Sequence, residues 1–255
     1  MKRILSFFTL LLLAAFLKAE DIRSYELRIY TAHKGKLEAL NARFRDHTCK
    51  LFVKHGLTNV GYWVPVDKSD NRLIYVISSP NRVAHKKSWQ AFLNDSDWKK
   101  AYKASTKDGA LVAKIDSTFM SATDYSPVVK PVITKDIRVF ELRTYTTASD
   151  RLKNLHARFR DHTCKIFENH DMTNVAYWTP MDANKGKSNT LIYIISHFSH
   201  GQPFKHLAQA KKNWKGFGGD PSWQKARAAS EVDGKILAKG PARIYLKATD
   251  FSPLK

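Results

Sequence analysis

The sequence predicts an α+β protein in which one folding unit occurs twice, and three observations support this prediction. The nine residues from Ala42 to Lys50 recur unchanged from Ala157 to Lys165. The same segments surround both copies in the same order, with a Glu-Leu-Arg segment before each copy and Thr-Asn-Val-x-Tyr-Trp after it. The chain has 255 residues, so each unit has roughly 100 residues and can bury a core of its own.

The first half of the unit is predicted as a strand, a helix and a hairpin. Residues 24–31 alternate between apolar and polar side chains, which is typical of a strand. Residues 35–55 carry apolar side chains every three or four positions, which is typical of a helix packed on a core. Residues 58–64 and 73–78 are rich in β-branched and aromatic residues and flank a turn-forming segment, so they predict a β-hairpin.

The second half of the unit is predicted as a broken helix and a last strand. The helical region covers residues 82–107 with a break near 94–97, and the last strand covers residues 117–124. Strand, helix, strand, strand, helix, strand is the ferredoxin-like βαββαβ order, which gives a four-stranded antiparallel sheet with helices on one face. Because the other face needs cover, we expect the two sheets to stack into a closed barrel with the helices outside.

The start of the chain is predicted to be an export signal. Lys2 and Arg3 precede an apolar run, residues 4–16, that is short for a membrane span, and Ala19 is a suitable cleavage point. An uncleaved anchor is the alternative. The predicted organisation is a signal peptide at 1–19, a first repeat at 20–127, a linker at 128–135 and a second repeat at 136–255. We therefore expect a secreted or periplasmic protein with no stable membrane span after cleavage.

The chain is strongly basic and contains two cysteines. Its formal net charge is +20, and removal of residues 1–19 leaves +17. In an exported protein this favours a small molecule, a protein or an acidic surface polymer as partner, and not nucleic acid; a solvated lysine-rich surface is the simpler alternative. Cys49 and Cys164 stand at equivalent helix positions, which lie far apart in most repeats. We therefore expect two buried, inert thiols and no disulfide.

Polar residues on the first strand of each repeat are the best candidates for ligand binding. Arginine can hold a carboxylate or phosphate through two parallel hydrogen bonds. We expect these residues to line the barrel interior, completed by an Asn and a Trp that share a face of the next strand. The predicted ligand-binding set is Glu26, Arg28, Tyr30, Asn59 and Trp63 in the first repeat, and Glu141, Arg143, Tyr145, Asn174 and Trp178 in the second. The alternative is a structural ion-pair network at the barrel seam.

No metal site or short catalytic motif is predicted. His47 and His162 lie on the polar side of their helices without the His and carboxylate neighbours that a metal needs, so they are interpreted as solvated. His55 and His170 stand at helix ends, where they can interact with the helix dipole. The sequence has no nucleophile elbow, zinc-finger spacing or haem-attachment motif. It therefore does not indicate a reaction.

Several segments, taken together, resemble the NIPSNAP family. They are the strand Tyr-Glu-Leu-Arg, the helix Arg-Phe-Arg-Asp-His-Thr, Thr-Asn-Val-x-Tyr-Trp, the strand Leu-Ile-Tyr, and the tryptophan pairs 89/98 and 214/223. The resemblance covers both repeats. It implies the dimeric α/β-barrel superfamily, here formed within one chain, so that no oligomer is required. That superfamily includes haem proteins and cofactor-free monooxygenases, but membership supplies no mechanism.

Three hypotheses follow. The first is an exported protein without enzymatic activity or cofactor, which binds a small anionic ligand or a partner through the barrel or its rims. The second is a cofactor-free or haem-dependent monooxygenase-type enzyme. The third is a structural interaction domain with an exposed apolar patch on its helices. A roomy barrel interior favours the enzyme, whereas an interior filled by side chains and a paired Glu–Arg network favour binding.

Overall fold

The computed structural model describes residues 21–132, 138–197 and 206–255. The predicted signal peptide lies outside the described residues, as does the end of the predicted linker, residues 133–135. None of the helices within the described ranges is long and apolar enough to cross a membrane.

The first repeat has the predicted βαββαβ order, with each helical region divided in two. Its elements are β1 (Ser24–Ala32), α1 (Leu37–Arg43), a π-helical turn (Phe44–Thr48), α2 (Cys49–Lys54), β2 (Thr58–Pro65), β3 (Arg72–Ser79), α3 (Arg82–Asn94), α4 (Ser96–Ser105) and β4 (Val112–Ala122). Asp95 separates α3 from α4 and caps α4, because its carboxylate accepts hydrogen bonds from the backbone N–H groups of Asp97 and Trp98.

The second repeat follows the same order. Its elements are β5 (Val139–Thr146), α5 (Leu152–Arg158), a π-helical turn (Phe159–Thr163), α6 (Cys164–Asn169), β6 (Met172–Pro180), a 3₁₀ turn (Ala183–Lys185), β7 (Thr190–His197), α7 (His206–Gly219), α8 (Pro221–Ser230) and β8 (Ala242–Ala248). Asp220 caps α8 as Asp95 caps α4.

The eight strands form one closed antiparallel barrel in the order β1-β3-β2-β8-β5-β7-β6-β4. Each repeat contributes a four-stranded sheet in the ferredoxin-like order. The two sheets join edge to edge, through β2 and β8 at one seam (Trp63 opposite Ala248) and through β4 and β6 at the other (Met120 opposite Pro180). The predicted fold class is therefore confirmed, and the duplicated chain closes both seams without a second molecule.

The interior of the barrel is filled by side chains. Trp63 and Trp178, one from each repeat, are 0% and 1% exposed there. Tyr25 packs on Trp178 with ring centroids 5.5 Å apart, and Phe140 packs on Trp63 at 5.7 Å. Apolar residues from both repeats complete this single core, so the interior has the close packing of a protein core.

Each repeat has a second core between the outer face of its sheet and its helices. In the first repeat Leu40 and Phe44 pack with Phe52, Tyr75 and Phe92. The corresponding residues of the second repeat form a matching cluster around Phe159 and Tyr193. Both faces of each sheet are thus buried, one in the barrel and one beneath the helices.

A π-helical turn interrupts the first long helix in both repeats, where the sequence predicts one continuous helix. It covers the identical residues Phe-Arg-Asp-His-Thr, at Phe44–Thr48 and Phe159–Thr163. The Thr48 hydroxyl donates to the Arg43 carbonyl at 3.1 Å, a side-chain contact that spans the π-helical turn.

Candidate functional site

The polar residues of β1 face the helices, and the prediction that they line the barrel interior is wrong. The Arg28 guanidinium lies 4.3 Å from the ring centroid of Trp89 on α3, and the rings of Tyr30 and Phe44 are 6.0 Å apart. Tyr25 and Leu27, which alternate with Glu26 and Arg28 along β1, belong to the barrel core. The predicted alternation is correct, but the two faces are reversed. The equivalent residues Glu141, Arg143 and Tyr145 likewise lie beneath the helices of the second repeat.

Asn59 and Trp63 lie on opposite faces of β2, contrary to the prediction that they share one. The pairing of β2 with β3 shifts between Asn59 and Gly61, which marks a β-bulge and interrupts the alternation. Asn59 faces the helices, where its amide donates to the Cys49 carbonyl at 2.9 Å and accepts from the Tyr62 hydroxyl. Trp63 points into the barrel.

The second repeat repeats this arrangement. Asn174 donates to the Cys164 carbonyl at 2.9 Å, Trp178 lies in the barrel, and the bulge falls between Asn174 and Ala176. The four residues are therefore structural in position: two hold a helix to a strand and two fill the core.

A buried carboxylate organises the polar cluster of the first repeat. Glu26 is 1% exposed and accepts hydrogen bonds from Arg28 Nη1 and from the Ser117 hydroxyl. His85 Nε2 lies 2.9 Å from its other oxygen, and Arg28 Nη2 donates to the Tyr30 hydroxyl at 3.1 Å. Burial by itself would raise the pKa of Glu26, but His85, Arg28 and Ser117 together hold that pKa below its usual value. Glu26 is therefore a carboxylate, and it fixes the orientation of Arg28.

The second repeat has a related but more closed cluster. Glu141 is 0% exposed and accepts from Arg143 Nη1 at 2.6 Å, from Trp214 Nε1 at 2.6 Å and from His197 Nε2 at 3.0 Å. Its histidine is the last residue of β7, whereas His85 comes from α3. The α7 residue at the place of His85 is Ala210, four residues before Trp214.

Two cavities lie on either side of the stacked Arg28 and Trp89, and both residues line each cavity. The larger cavity has a volume of about 810 Å³ and the smaller about 520 Å³. The wall of the larger cavity consists of Glu26, Arg28, Arg82, Val83, His85, Lys86, Trp89, Gln90, Ser117 and Phe119. The smaller cavity is largely aromatic, with Phe44, Phe52, Trp89, Phe92, Trp98 and Tyr102 in its wall.

Both cavities carry an excess of positive charge. The larger has Arg28, Arg82 and Lys86 in its wall; Arg28 is paired with Glu26 and Arg82 with Asp182, which leaves Lys86. Among the described residues, the wall of the smaller cavity includes three cations, one of them Arg28, and neither Asp nor Glu. A third cavity, of about 430 Å³ beside Asn174, has the opposite character because Glu168 and Asp171 line it.

The family model for NIPSNAP matches this chain twice, over residues 25–127 and 140–253. The chain belongs to the NIPSNAP family. A search of curated proteins finds no match.

Solved structures with the same fold include an "anthrone oxidase-like protein" (TM-score 0.57, 10% identity, 92% of this chain and 95% of that chain). A "putative monooxygenase" from Lactobacillus acidophilus NCFM matches with a TM-score of 0.56 and 12% identity over 89% of this chain and 94% of its own. A protein of the same description from Fusobacterium nucleatum matches with a TM-score of 0.53 and 10% identity over 89% and 92%. At these identities the similarity shows the fold alone.

In the described part of this NIPSNAP chain, some histidines contact other side chains and others are exposed. His47 and His162 are exposed, whereas His55 Nε2 lies 2.7 Å from Asp95 and so ties α2 to the cap of α4. Within the described ranges, no group of three His, Cys, Asp or Glu residues could hold a metal ion. The cysteines are free, and burial raises the pKa of the Cys49 thiol to about 12.

His85 of this NIPSNAP chain is enclosed by protein in the wall of the larger cavity. The barrel interior is filled, and His85 is the imidazole of the larger cavity. Its Nε2 contacts Glu26, and its Nδ1 is buried. Neither nitrogen is therefore placed to bind an iron in that cavity.

Sequence reasoning missed most of the cavity residues as site residues, among them Arg43, His85 and Ser117. The position of His85 contained a usable signal, since it stands one helical turn before Trp89 on the same face. Arg43 is 6% exposed because Trp98 and Tyr102 of α4 cover it.

Proposed function

We propose that this NIPSNAP-family protein binds a small anionic ligand in its first repeat, in the cavities that flank Arg28 and Trp89. The observation that carries the proposal is a preorganised cation shared by two cavities. The Arg28 side chain is 12% exposed, stacks on Trp89 and is oriented by Glu26 and Tyr30. A fixed guanidinium loses little conformational freedom on binding, which favours affinity.

The shape and charge of the cavities support an anion with a flat apolar body. Trp89 and Phe119 offer aromatic surface in the larger cavity, and Lys86 adds positive charge to its wall. Two of the five N–H groups of the Arg28 guanidinium donate to Glu26 and Tyr30, so it retains donors for a carboxylate or phosphate. The filled barrel interior favours binding beneath the helices.

Export to the periplasm or medium belongs to this proposal and rests on residues 1–19 alone. Cell fractionation with an antibody against the chain tests it: we expect a product shortened by about 2 kDa outside the cytoplasm, as signal cleavage produces.

The binding proposal is tested by calorimetry on the purified protein with 2-naphthoate and with uncharged 2-naphthylmethanol. A hydrogen bond to a charged group contributes about 1.5–3 kcal/mol, so we expect the alcohol to bind at least about tenfold more weakly. Arg28→Gln should weaken naphthoate binding by a similar factor. Arg143→Gln, the matched change in the second repeat, should leave it unchanged. Equal affinity for acid and alcohol, or unchanged binding by Arg28→Gln, would show that Arg28 does not hold the anion.

The cofactor-free monooxygenase-type alternative stays a prediction, and the names of the structural neighbours motivate its test. Oxygen uptake is measured with dithranol, an anthrone, in the presence and absence of the protein. Uptake that depends on the protein and falls in Arg28→Gln would support catalysis in these cavities. Uptake equal to the buffer rate would exclude this reaction for that substrate class.

A further inference from the structure

Arg43 and Arg158 occupy the same place in the two identical nine-residue segments, and both are buried. Arg43 is 6% exposed and Arg158 is 4% exposed. In each repeat the guanidinium lies near a tryptophan and donates through Nη1 to a serine hydroxyl at 3.2 Å, Ser105 in the first and Ser230 in the second. The serine contact is thus the same in both repeats, but the residue one turn before it differs: Tyr102 lies over Arg43, whereas the equivalent residue of α8 is Arg227, whose Nε donates to Glu231 Oε2 at 3.1 Å.

The next residue differs between the repeats. The residue that follows α8 is Glu231, whose Oε1 accepts a hydrogen bond from Arg158 Nη1 at 3.2 Å. The residue that follows α4 is Thr106, whose hydroxyl donates to the Tyr102 carbonyl at 2.8 Å. In the described part of the chain, Arg43 has no carboxylate within ion-pair distance. The Nε of Arg43 has no hydrogen-bond acceptor, and the same holds for the Nε of Arg158.

A buried guanidinium without a counter-ion is unfavourable, because the interior replaces neither the water nor the opposite charge that it loses. The rings of Trp98 and Tyr102, at 5.4 and 5.3 Å, compensate in part through cation–π attraction. Burial lowers the pKa of Arg43, and no carboxylate opposes this shift; burial lowers the pKa of Arg158 too, but there Glu231 opposes it.

Arg43 also lines the smaller cavity, which has room for a ligand. The cavity holds about 520 Å³, and the described residues of its wall include three cations, Arg28, Arg43 and Lys114, and no acid. Most of the remaining wall is aromatic. An aromatic carboxylate therefore matches the cavity in both charge and surface.

We propose that Arg43 anchors the carboxylate of an aromatic or otherwise flat apolar acid in the first repeat, and that Glu231 is the internal occupant of the same subsite in the second. The first repeat is then the open copy and the second the self-occupied copy. Glu231 indicates the chemistry that the open subsite takes, a carboxylate at the end of α4. This inference deepens the proposed anion binding and rests on it, since it names the anchoring residue and the acid group of the ligand.

The two repeats supply the test. Thr106→Glu places in the first repeat the carboxylate that the second repeat has, and Thr106→Gln is the matched uncharged control. Glu231→Ala removes the internal occupant from the second repeat. Binding of 2-naphthoate to each purified protein is measured by calorimetry, which gives both affinity and stoichiometry. The thermal unfolding temperature of each variant is measured in the same buffer.

We expect Thr106→Glu to weaken naphthoate binding at least tenfold, and Thr106→Gln to bind within threefold of the unchanged protein. Thr106→Glu should also unfold at a higher temperature than Thr106→Gln, because it neutralises Arg43. Glu231→Ala should unfold at a lower temperature than the unchanged protein, because Arg158 then loses its carboxylate. These results together support the subsite.

Other outcomes overturn it in distinguishable ways. If Arg28→Gln loses binding while Thr106→Glu binds and unfolds like Thr106→Gln, the anion is held at Arg28 and the Arg43 subsite is refuted. If the unchanged protein binds no naphthoate, both the proposed function and the subsite are refuted for aromatic carboxylates.

Discussion

The buried carboxylate Glu141 gives the sharpest test of what holds the second repeat together. It is 0% exposed and accepts from Arg143, His197 and Trp214. Glu141→Gln keeps the size of the side chain but removes its charge, which leaves Arg143 buried without a counter-ion. Breaking a buried ion pair by removing one partner costs about 3–5 kcal/mol. Since single domains are stable by about 5–15 kcal/mol, this is a large fraction of the free energy of unfolding.

The cost in free energy of unfolding is measured by thermal unfolding and by urea unfolding, each followed by far-UV circular dichroism. For a chain of this size we expect a loss of about 2–4 °C in Tm per kcal/mol, so Glu141→Gln should unfold about 10 °C below the unchanged protein. Glu38→Gln is the control, because the Glu38 side chain is 80% exposed and its replacement should change stability by less than about 0.5 kcal/mol. An unchanged urea midpoint and slope for Glu141→Gln would refute the reasoning that this carboxylate compensates Arg143.

The same pair predicts a pH dependence with a definite sign. Burial alone would raise the pKa of Glu141, but His197, Arg143 and Trp214 together hold that pKa below its ordinary value of 4.5. A carboxylate with a lowered pKa in the folded state contributes stability above its unfolded pKa and loses it as the pH falls through the folded pKa. The difference in stability between the unchanged protein and Glu141→Gln should therefore be constant above pH 4.5 and shrink in more acidic buffer.

Two further predictions concern the barrel core and the thiols. Trp63→Ala should lower the free energy of unfolding by about 3–5 kcal/mol, because it leaves a large void in a filled barrel. The control Val232→Ala, at a residue that is 78% exposed, should change it by less than about 0.5 kcal/mol. Urea titration measures the free energy of unfolding of both variants, and similar values for the two would mean that the barrel collapses around the void. With a thiol pKa of about 12, Cys49 should be thiolate in only about one molecule in ten thousand at pH 8. Iodoacetamide should therefore label Cys49 slowly in the native protein and quickly in urea, which mass spectrometry measures. Rapid labelling of the native protein would mean that the thiol is activated.

The sequence by itself determined the repeat, the types and order of the elements and the family. These depend on local composition, periodicity and duplication, which the sequence displays directly. For example, residues 58–64 and 73–78 are rich in β-branched and aromatic residues, and this predicts strands whatever the segments pack against. The predicted boundaries at 127–128 and 135–136 remain predictions. The division of 35–55 by a π-helical turn was not predictable, because an amphipathic pattern cannot show a change of hydrogen-bond partner within a helix.

Only the tertiary structure decided which face of each strand is inside. Polar side chains usually mark the solvated face, but closure of the ring with helices outside buries both faces, so that rule could not assign Glu26 and Arg28. The bulge at Asn59 could not be predicted for a related reason, because it depends on the contact of Asn59 with α2. No residue type marks it either: the residue after the register shift is Gly61 in the first repeat and Ala176 in the second.

The candidate site shows the same limit most clearly. Arg43 and Arg158 stand in identical nine-residue segments, so nothing local distinguishes them. Their difference lies at the ends of α4 and α8, more than 60 residues further along the chain. Arg158 contacts Glu231 there, whereas Arg43 contacts Ser105 and Tyr102, and these contacts form only when α4 and α8 pack on the first helix of each repeat. The charge of a buried site depends on neighbours that are distant in sequence, and only the packing of the helices brings those neighbours to the arginines.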